Sequence, residues 1–197
     1  MNQSPRVLVI DDELSIRTTI ERIFSRDNYR VDTASSGAEA LALLEQTGPF
    51  DVVLLDVVMP GMNGFAVLEK IKAQPRTQNL RVIMLSAVSD VSEKVKAFTA
   101  GAVDYVVKPF EAAEIVARVK TQIQLKTAES ALHQQSKLLR GVAQSVSLLL
   151  THTHFETAAG QGLAILGTVA NIDRAYIYQA HPHPKAGQPV ISQRFGW

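Results

Sequence analysis

The sequence contains no cysteine among its 197 residues. Disulfide bonds, thiolate metal sites and cysteine nucleophiles are therefore excluded. It also has little net charge, because 20 Lys and Arg residues face 19 Asp and Glu residues and leave a formal charge of +1. A balance of this kind argues against broad electrostatic attraction to nucleic acid or to an anionic membrane.

Long hydrophobic runs are missing as well. The apolar run VLVI near the N-terminus is followed directly by two acids, whereas a secretory signal needs about 7–15 apolar residues and a membrane span about 20. We therefore expect a cytoplasmic protein with no membrane association. Hydrophobic residues make up 46% of the chain and charged residues 20%, a composition typical of globular domains.

Short β-branched runs alternate with amphipathic segments over the first 125 residues. The runs are Arg6–Ile10, Arg30–Ala34, Asp51–Leu55, Arg81–Leu85 and Ala102–Val107. The pairs Ser36 with Glu39 and Asp90 with Glu93 have the spacing of capping boxes, and Asn63 suits an N-cap. Strand and helix alternating five times predict an α/β fold with a five-stranded parallel sheet and helices on both faces.

Polar residues follow several of the predicted strands. Asp11 and Asp12 come after the first strand, Asp56 after the third, Ser86 after the fourth and Lys108 after the fifth. Ligands of open α/β sheets bind beyond the carboxyl ends of the strands, so these groups converge on one edge. Three carboxylates repel one another unless a cation lies between them, and all-oxygen ligation favours Mg²⁺ or Mn²⁺. A carboxylate beside such a cation and a lysine indicates phosphoryl transfer to the carboxylate.

The stretches VLVIDDE, DVVLLDVVMPGMNG, LSA and DYVVKPF, in this order, resemble the receiver domains of two-component response regulators. The resemblance covers residues 5 to about 125. It implies a doubly wound, flavodoxin-like sheet of order 2-1-3-4-5. It also implies a phosphorylation-dependent signalling protein whose phosphoryl donor is a sensor histidine kinase or a phosphotransfer protein.

The resemblance also implies roles for the acidic residues. It makes Asp56 the phosphoacceptor. It makes Asp12, Asp56 and the backbone carbonyl of Val58 ligands of Mg²⁺ (or Mn²⁺), with Asp11 supporting the ion through water. Each of these residues lies at a position that matches the motif of the family.

The remaining roles implied by the resemblance concern the groups around the phosphoryl site. Lys108 pairs with the phosphoryl oxygens and precedes Pro109 in a cis peptide bond. The Ser86 hydroxyl moves to the phosphoryl group, and Tyr105 rotates inward behind it. Val58 and Val88 flank the attacking water, and because both are apolar we expect slow dephosphorylation.

Two other functions compete with the phosphorylated switch. An aspartate-nucleophile phosphatase would need a second Asp two residues after the nucleophile, and Val58 occupies that position. A phosphorylation-independent receiver scaffold would usually lack an acid or the lysine, and this chain has all of them.

The predicted fifth helix continues beyond the receiver. No Gly or Pro interrupts it from Glu111 to Arg140. Heptad positions are then occupied by Leu125, Ala128, Leu132, Gln135, Leu139, Val142, Val146 and Leu149. This spacing predicts a coiled coil and a homodimer through residues 125–149; a helix packed on its own domain is the alternative.

The last part of the sequence differs from the receiver. The stretch FETAAGQGLAILGTVANIDRAYIYQ resembles the start of a GAF domain. We expect a helix at Phe155–Ala170, strands at Arg174–Gln179 and Val190–Phe195, and a loop at His181–Pro189. The expected domains are a receiver (1–124), a coiled-coil helix (125–150) and an incomplete GAF-like α+β tail (151–197), with no motif for direct nucleic-acid binding.

Overall fold

The computed structural model of the chain describes residues 4–152, 154–182 and 189–196. They form two compact units, Met1–Thr127 and Ala128–Trp197. The strands of the first unit are β1 (Arg6–Ile10), β2 (Arg30–Ala34), β3 (Val52–Asp56), β4 (Arg81–Ser86) and β5 (Asp104–Val107). Its helices are α1 (Leu14–Ser25), α2 (Gly37–Gln46), α3 (Gly64–Ala73), α4 (Val91–Thr99) and the beginning of α5 (Ala112–Thr151).

The five strands form one parallel sheet in the order β2-β1-β3-β4-β5. The predicted fold class is therefore confirmed. Alternate residues of the central strands point to opposite faces, so Val53 joins a core with α3 while its neighbour Leu54 joins a core with α1 and α5. Both faces are buried, which explains why β1, β3 and β4 read as continuous apolar runs.

Two strands end one residue later than the sequence predicts. β3 includes Asp56, and β4 includes Ser86. β5 begins at Asp104, two residues after the predicted start at Ala102. The two polar residues are therefore part of the hydrogen-bonded ladder, where Asp56 is opposite Leu85 and Ser86 is opposite Val107, and the sheet itself fixes their backbones.

The predicted helix starts are found, but the capping box at Ser36 and Glu39 is only half formed. Asn63 accepts a hydrogen bond from the Ala66 amide, as an N-cap should. The Ser36 hydroxyl accepts from the Glu39 amide. The Glu39 carboxylate, however, accepts from the amide and the hydroxyl of Ser35, so the reciprocal bond goes one residue upstream.

The capping box predicted at Asp90 and Glu93 is wrong, although Asp90 is the N-cap. Asp90 caps α4 by accepting from the amide of Ser92 rather than from that of Glu93. The Glu93 carboxylate does not turn back to the cap. It accepts hydrogen bonds from Ser86 and Tyr105 instead.

The first unit also anchors α5 at the amino-terminal edge of the sheet. Lys126 Nζ donates to Asp51 Oδ1 at 2.8 Å and to the Phe50 carbonyl at 3.2 Å. Arg81 Nη1 donates to Gln122 Oε1 at 2.8 Å. Asp51 directly precedes β3 and Arg81 begins β4, so these contacts attach the helix to the ends of the strands that are remote from Asp56 and Ser86.

The second unit contains the remainder of α5, the helix α6 (Phe155–Ala170) and an antiparallel pair of strands, β6 (Tyr176–Pro182) and β7 (Pro189–Gly196). The predicted bounds of α6 are confirmed. Both strands are longer than predicted toward the connection, so His181, Pro182 and Pro189 belong to strands rather than to a loop. The rest of the predicted loop, 183–188, lies outside the described residues.

Small residues join α5 to α6. A Cβ atom on Gly141 would lie 3.0 Å from a methyl carbon of Val169. The Ser145 hydroxyl, which is buried, lies 3.1 Å from the carbonyl of Gly162 and 2.9 Å from that of Gly141. This packing uses a face of α5 other than the heptad positions. The apolar heptad side chains remain exposed at Leu125, Leu132, Leu139, Val142, Val146 and Leu149.

Candidate functional site

Three carboxylates meet at the carboxyl edge of the parallel sheet. Asp11 and Asp12 follow β1, and Asp56 ends the neighbouring strand β3. One carboxylate oxygen of each residue lies within 4.8 Å of those of the other two. Asp11 and Asp56 are buried and Asp12 is exposed, so the cluster is a pocket with one side open to solvent.

Lys108 reaches this cluster from the end of β5. Its Nζ donates to Asp11 Oδ2 and to Asp56 Oδ1, both at 2.6 Å. Its backbone amide donates to the Ser86 carbonyl at 2.7 Å, and the Lys108–Pro109 peptide is cis, as the resemblance implies. The lysine ammonium therefore bridges two of the three carboxylates.

The charges of the site do not balance. Burial raises the pKa of the Asp56 carboxyl, the negative charges of Asp11 and Asp12 raise it further, and Lys108 opposes the shift. Burial lowers the pKa of Lys108, but its hydrogen bonds to Asp11 and Asp56 outweigh this effect and the net shift is upward. Three carboxylates around one ammonium provide an oxygen-only donor set with excess negative charge, which suits a hard divalent cation such as Mg²⁺.

The β1–α1 loop is held by contacts that the sequence did not suggest. The Glu13 amide donates to Asp11 Oδ1 at 2.9 Å. Arg17 Nη1 donates to the carbonyls of Asp11 and Asp12 at 2.6 and 2.9 Å. Arg17 lies one turn into α1, and its spacing from the acid pair was the available signal. It fixes the backbone of the loop that carries two of the three carboxylates.

The loop after Asp56 depends on a glycine. A Cβ atom on Gly64 would lie 2.1 Å from the Asp56 carbonyl oxygen, so only glycine allows α3 to begin this close to the end of β3. The Gly64 amide donates to the Val57 carbonyl at 2.9 Å. Val58, whose backbone carbonyl the resemblance makes a ligand of Mg²⁺, lies in this loop and is 66% exposed.

Ser86 and Tyr105 are joined through a residue that the sequence analysis missed as a site residue. The buried Ser86 hydroxyl accepts from the Val88 amide at 3.1 Å and donates to Glu93 Oε2 at 3.1 Å. The Tyr105 hydroxyl lies 2.8 Å from the same Glu93 oxygen and 2.8 Å from the Val88 carbonyl. Tyr105 is therefore in an inward position, and the residue is only 5% exposed.

The comparison with protein families matches residues 7–120 to the response regulator receiver domain. The chain belongs to this family. Receiver domains bind Mg²⁺ at an acidic pocket, and the cluster of Asp11, Asp12 and Asp56 is capable of holding such an ion. Response regulators are regulatory proteins rather than classical enzymes, so the predicted regulatory class is supported and the phosphatase alternative is not.

Relatives of this receiver include named transcriptional regulators. The chain is 42% identical over 125 residues to the transcriptional regulatory protein PrrA of Mycobacterium leprae, covering 64% of this chain and 52% of that protein. It is 44% identical over 115 residues to the probable transcriptional regulator ycf27 of Guillardia theta, covering 58% and 44%. The chain thus spans about half the length of the curated relatives it matches.

The receiver fold is also found among solved structures. A putative response regulator from Chloroflexus aurantiacus is 36% identical, with a TM-score of 0.59, and the match covers 61% of this chain and 98% of that one.

In the described part of this receiver chain, no helix is both long and apolar enough to cross a membrane.

Proposed function

We propose that this protein is a phosphorylation-dependent response regulator in which Asp56 accepts a phosphoryl group from a sensor histidine kinase or a phosphotransfer protein. The observation that carries the proposal is the position of the Asp56 carboxylate. It lies at the end of β3, buried, beside Asp11 and Asp12 and 2.6 Å from Lys108 Nζ. Among the described residues, this arrangement joins a nucleophilic carboxylate to groups that can neutralise a phosphoryl group.

Each side chain of the site has a separate role in the proposed phosphoryl transfer. An Asp56 oxygen attacks phosphorus in line, the new O–P bond forms as the P–N bond of the donor phosphohistidine breaks, and the donor imidazole leaves with its electron pair. Lys108 exchanges its contact with the carboxylates for one with a phosphoryl oxygen, and the Ser86 hydroxyl donates to another.

The metal requirement follows from the excess negative charge. Asp12, Asp56 and the carbonyl of Val58 would hold Mg²⁺, or Mn²⁺, directly, and Asp11 would act through water. The cation supplies charge neutralisation at the phosphoryl oxygens. Without it, the approach of a phosphoryl donor to three carboxylates is opposed by charge repulsion.

Phosphorylation tests the central assignment. With acetyl phosphate and Mg²⁺, intact-mass spectrometry should show the addition of one hydroxylamine-labile phosphoryl group, and Asp56→Asn should abolish it. Asp51→Asn is the matched control, because it removes a carboxylate at the opposite end of β3 and should leave labelling unchanged. A wild-type chain that gains no mass would favour the phosphorylation-independent scaffold. Full labelling of Asp56→Asn would place the acceptor elsewhere.

We further propose that α5 carries the signal to a paired output as a parallel coiled coil through residues 125–149. Its apolar heptad side chains are exposed, and α6 packs on a different face through Gly141 and Ser145. Exposed apolar strips of this kind usually mark interfaces. In a parallel pair, Gln135 would oppose its own copy, where two amides can hydrogen-bond.

The domain organisation belongs to the same proposal. We propose a receiver at 1–124, a coiled-coil helix at 125–150 and the first part of a GAF-like domain at 151–197. The order α6, β6, β7 supports the last assignment. The output of the intact protein would then be regulated by how two such tails are held together.

A further inference from the structure

Glu93 lies at the junction between the phosphoryl site and α4. It is in the first turn of the helix, and its Oε2 atom contacts hydroxyl groups from two strands, β4 and β5. Ser86 at the end of β4 donates to it at 3.1 Å, and Tyr105 of β5 lies 2.8 Å away. Carboxylate oxygens are stronger hydrogen-bond acceptors than neutral oxygens.

A serine hydroxyl has one proton to donate. Here that proton is given to Glu93, while the Ser86 oxygen accepts from the Val88 amide. Donation to a phosphoryl oxygen on Asp56 therefore requires that the bond to Glu93 be given up. Glu93 and the phosphoryl group compete for the same proton.

Tyr105 is affected by the same competition. Its single hydroxyl proton has two acceptors at 2.8 Å, the Val88 carbonyl and Glu93 Oε2. When the Ser86 hydroxyl no longer donates to Glu93 Oε2, the Tyr105 hydroxyl can still donate a hydrogen bond to that oxygen. Lys94 Nζ, 5.8 Å from the centre of the Tyr105 ring, adds a weak cation–π contact from the same turn of α4.

We propose that Glu93 is a positioning residue that holds the Ser86 hydroxyl in its resting orientation and that its release of Ser86 couples phosphorylation of Asp56 to α4 and Tyr105. The inference rests on the proposed function, because it needs a phosphoryl group on Asp56. Glu93 sets how readily the phosphorylated conformation forms and takes no part in the bond-making step.

Substitutions on α4 separate this role from a general effect of charge. Glu93→Gln keeps the shape of the side chain and weakens its acceptor. Asp90→Asn is the matched control, since it removes one negative charge from the same end of α4, asparagine caps helices as well as aspartate does, and Asp90 bonds to Ser92 rather than to Ser86. The Val88 amide signal in NMR spectra reports whether Ser86 Oγ remains its acceptor.

The decisive measurement is the affinity for beryllofluoride, a phosphoryl mimic, in the presence of Mg²⁺. Glu93→Gln should bind it roughly threefold to tenfold more tightly than wild type, because binding no longer requires that the strong hydrogen bond from Ser86 to Glu93 be broken. Asp90→Asn should bind it as wild type does. In the Ser86→Ala background, Glu93→Gln should give no gain, since there is no hydroxyl to release. A merely structural role for Glu93 would not depend on Ser86.

The possible failures point to different conclusions. If wild type binds no beryllofluoride while the Val88 signal shifts in unliganded Glu93→Gln, the proposed function is wrong and the Ser86–Glu93 contact stands. If wild type binds it and Glu93→Gln behaves like Asp90→Asn, or gains equally without Ser86, the role given to Glu93 is overturned.

Discussion

Asp56, the proposed phosphoacceptor, illustrates how burial of a carboxyl group lowers the stability of a fold. Its folded-state pKa is raised, chiefly by burial, so between the unfolded value of about 3.9 and the folded value the native chain binds more protons than the unfolded chain. Stability therefore falls as pH rises through this window and stays lower above it.

Replacing Asp56 removes that penalty. Asp56→Asn should raise the melting temperature by a few degrees at pH 7 to 8, although Lys108 then keeps only Asp11 as a partner. The difference should shrink as pH falls toward the unfolded value of about 3.9 and disappear below it, where the wild-type carboxyl is protonated in both states. Thermal unfolding across this pH range, followed by circular dichroism, measures it. A variant that is less stable than wild type at pH 8 would show that the Lys108 contact outweighs the burial of charge.

Val58 provides a test of access to the phosphoryl group. Its side chain is 66% exposed and that of Val88 is 44% exposed, and neither can hydrogen-bond a water molecule. Val58→Asn should therefore speed dephosphorylation by about twofold to tenfold, the effect of one hydrogen bond made in the transition state. Loss of the acyl phosphate with time gives the rate. Val58→Ile, which stays apolar, should not accelerate it, and equal rates in all three proteins would contradict the argument.

The residues of the site differ in how far the sequence could identify them. Asp11, Asp12, Asp56 and Lys108 could be placed together because parallel strands end at one edge of the sheet. Glu93 could not, because its spacing from Asp90 has an equally good local explanation as a capping box. Which of two hydrogen-bonding partners a carboxylate takes depends on the tertiary position of Ser86 and Tyr105, and that information is not local.

At the scale of the helix, two glycines allow the α5–α6 packing to be tested. Both Gly141 and Gly160 lie inside helices, where alanine is more favourable by about 1 kcal/mol. A Cβ atom on Gly160 would meet nothing within 4 Å, whereas one on Gly141 would lie 3.0–3.2 Å from atoms of Val169. Gly160→Ala should therefore stabilise the second unit by up to about 1 kcal/mol, and Gly141→Ala should give clearly less or a loss.

Denaturant unfolding of the two alanine variants gives this difference directly. If both variants gain stability equally, the Val169 side chain can move away from the added Cβ atom without destabilising the fold, and the close approach at Gly141 is unimportant. In the sequence, Gly141 is only a residue that weakens a long helix. The structure explains it by the close approach of Val169 on α6, which the periodicity of α5 alone could not predict.

Strand ends were the least accurate part of the sequence prediction. The extra residues of β3 and β4, Asp56 and Ser86, are polar, and the prediction ended each strand where the apolar run ended. The ladder continues because their backbones still pair with Leu85 and Val107. Hydrogen bonding of the main chain, rather than side-chain polarity, sets where a strand stops.

At the scale of the whole molecule, the exposed heptad side chains predict self-association. Leu and Val each gain roughly 1.5–3 kcal/mol on full burial, and the heptad positions of residues 125–149, called the seam below, contain six such residues. Sedimentation of the full chain at concentrations on the order of tens of micromolar should therefore show a dimer. Truncation after Thr127 should give a monomer that is still phosphorylated at Asp56, since it retains the Lys126 contacts with Phe50 and Asp51.

Single substitutions in the full chain locate the interface. Leu139→Asp puts a charge on the seam and should weaken the dimer, while Gln134→Asp adds the same charge at an exposed position off the seam and should not. A full-length monomer, or a dimer that survives truncation, would show that residues 125–149 are not the interface.

The anchoring of α5 has a mechanical consequence. β3 holds Asp56 at one end and the Asp51 contact with Lys126 at the other, and β4 spans in the same way from Ser86 to the Arg81 contact with Gln122. Strands of five and six residues are about 16 and 20 Å long and cannot shorten without breaking their ladders. We therefore infer that a displacement of either strand along its axis at the acidic edge would also move its opposite end, where Lys126 and Gln122 of α5 are attached.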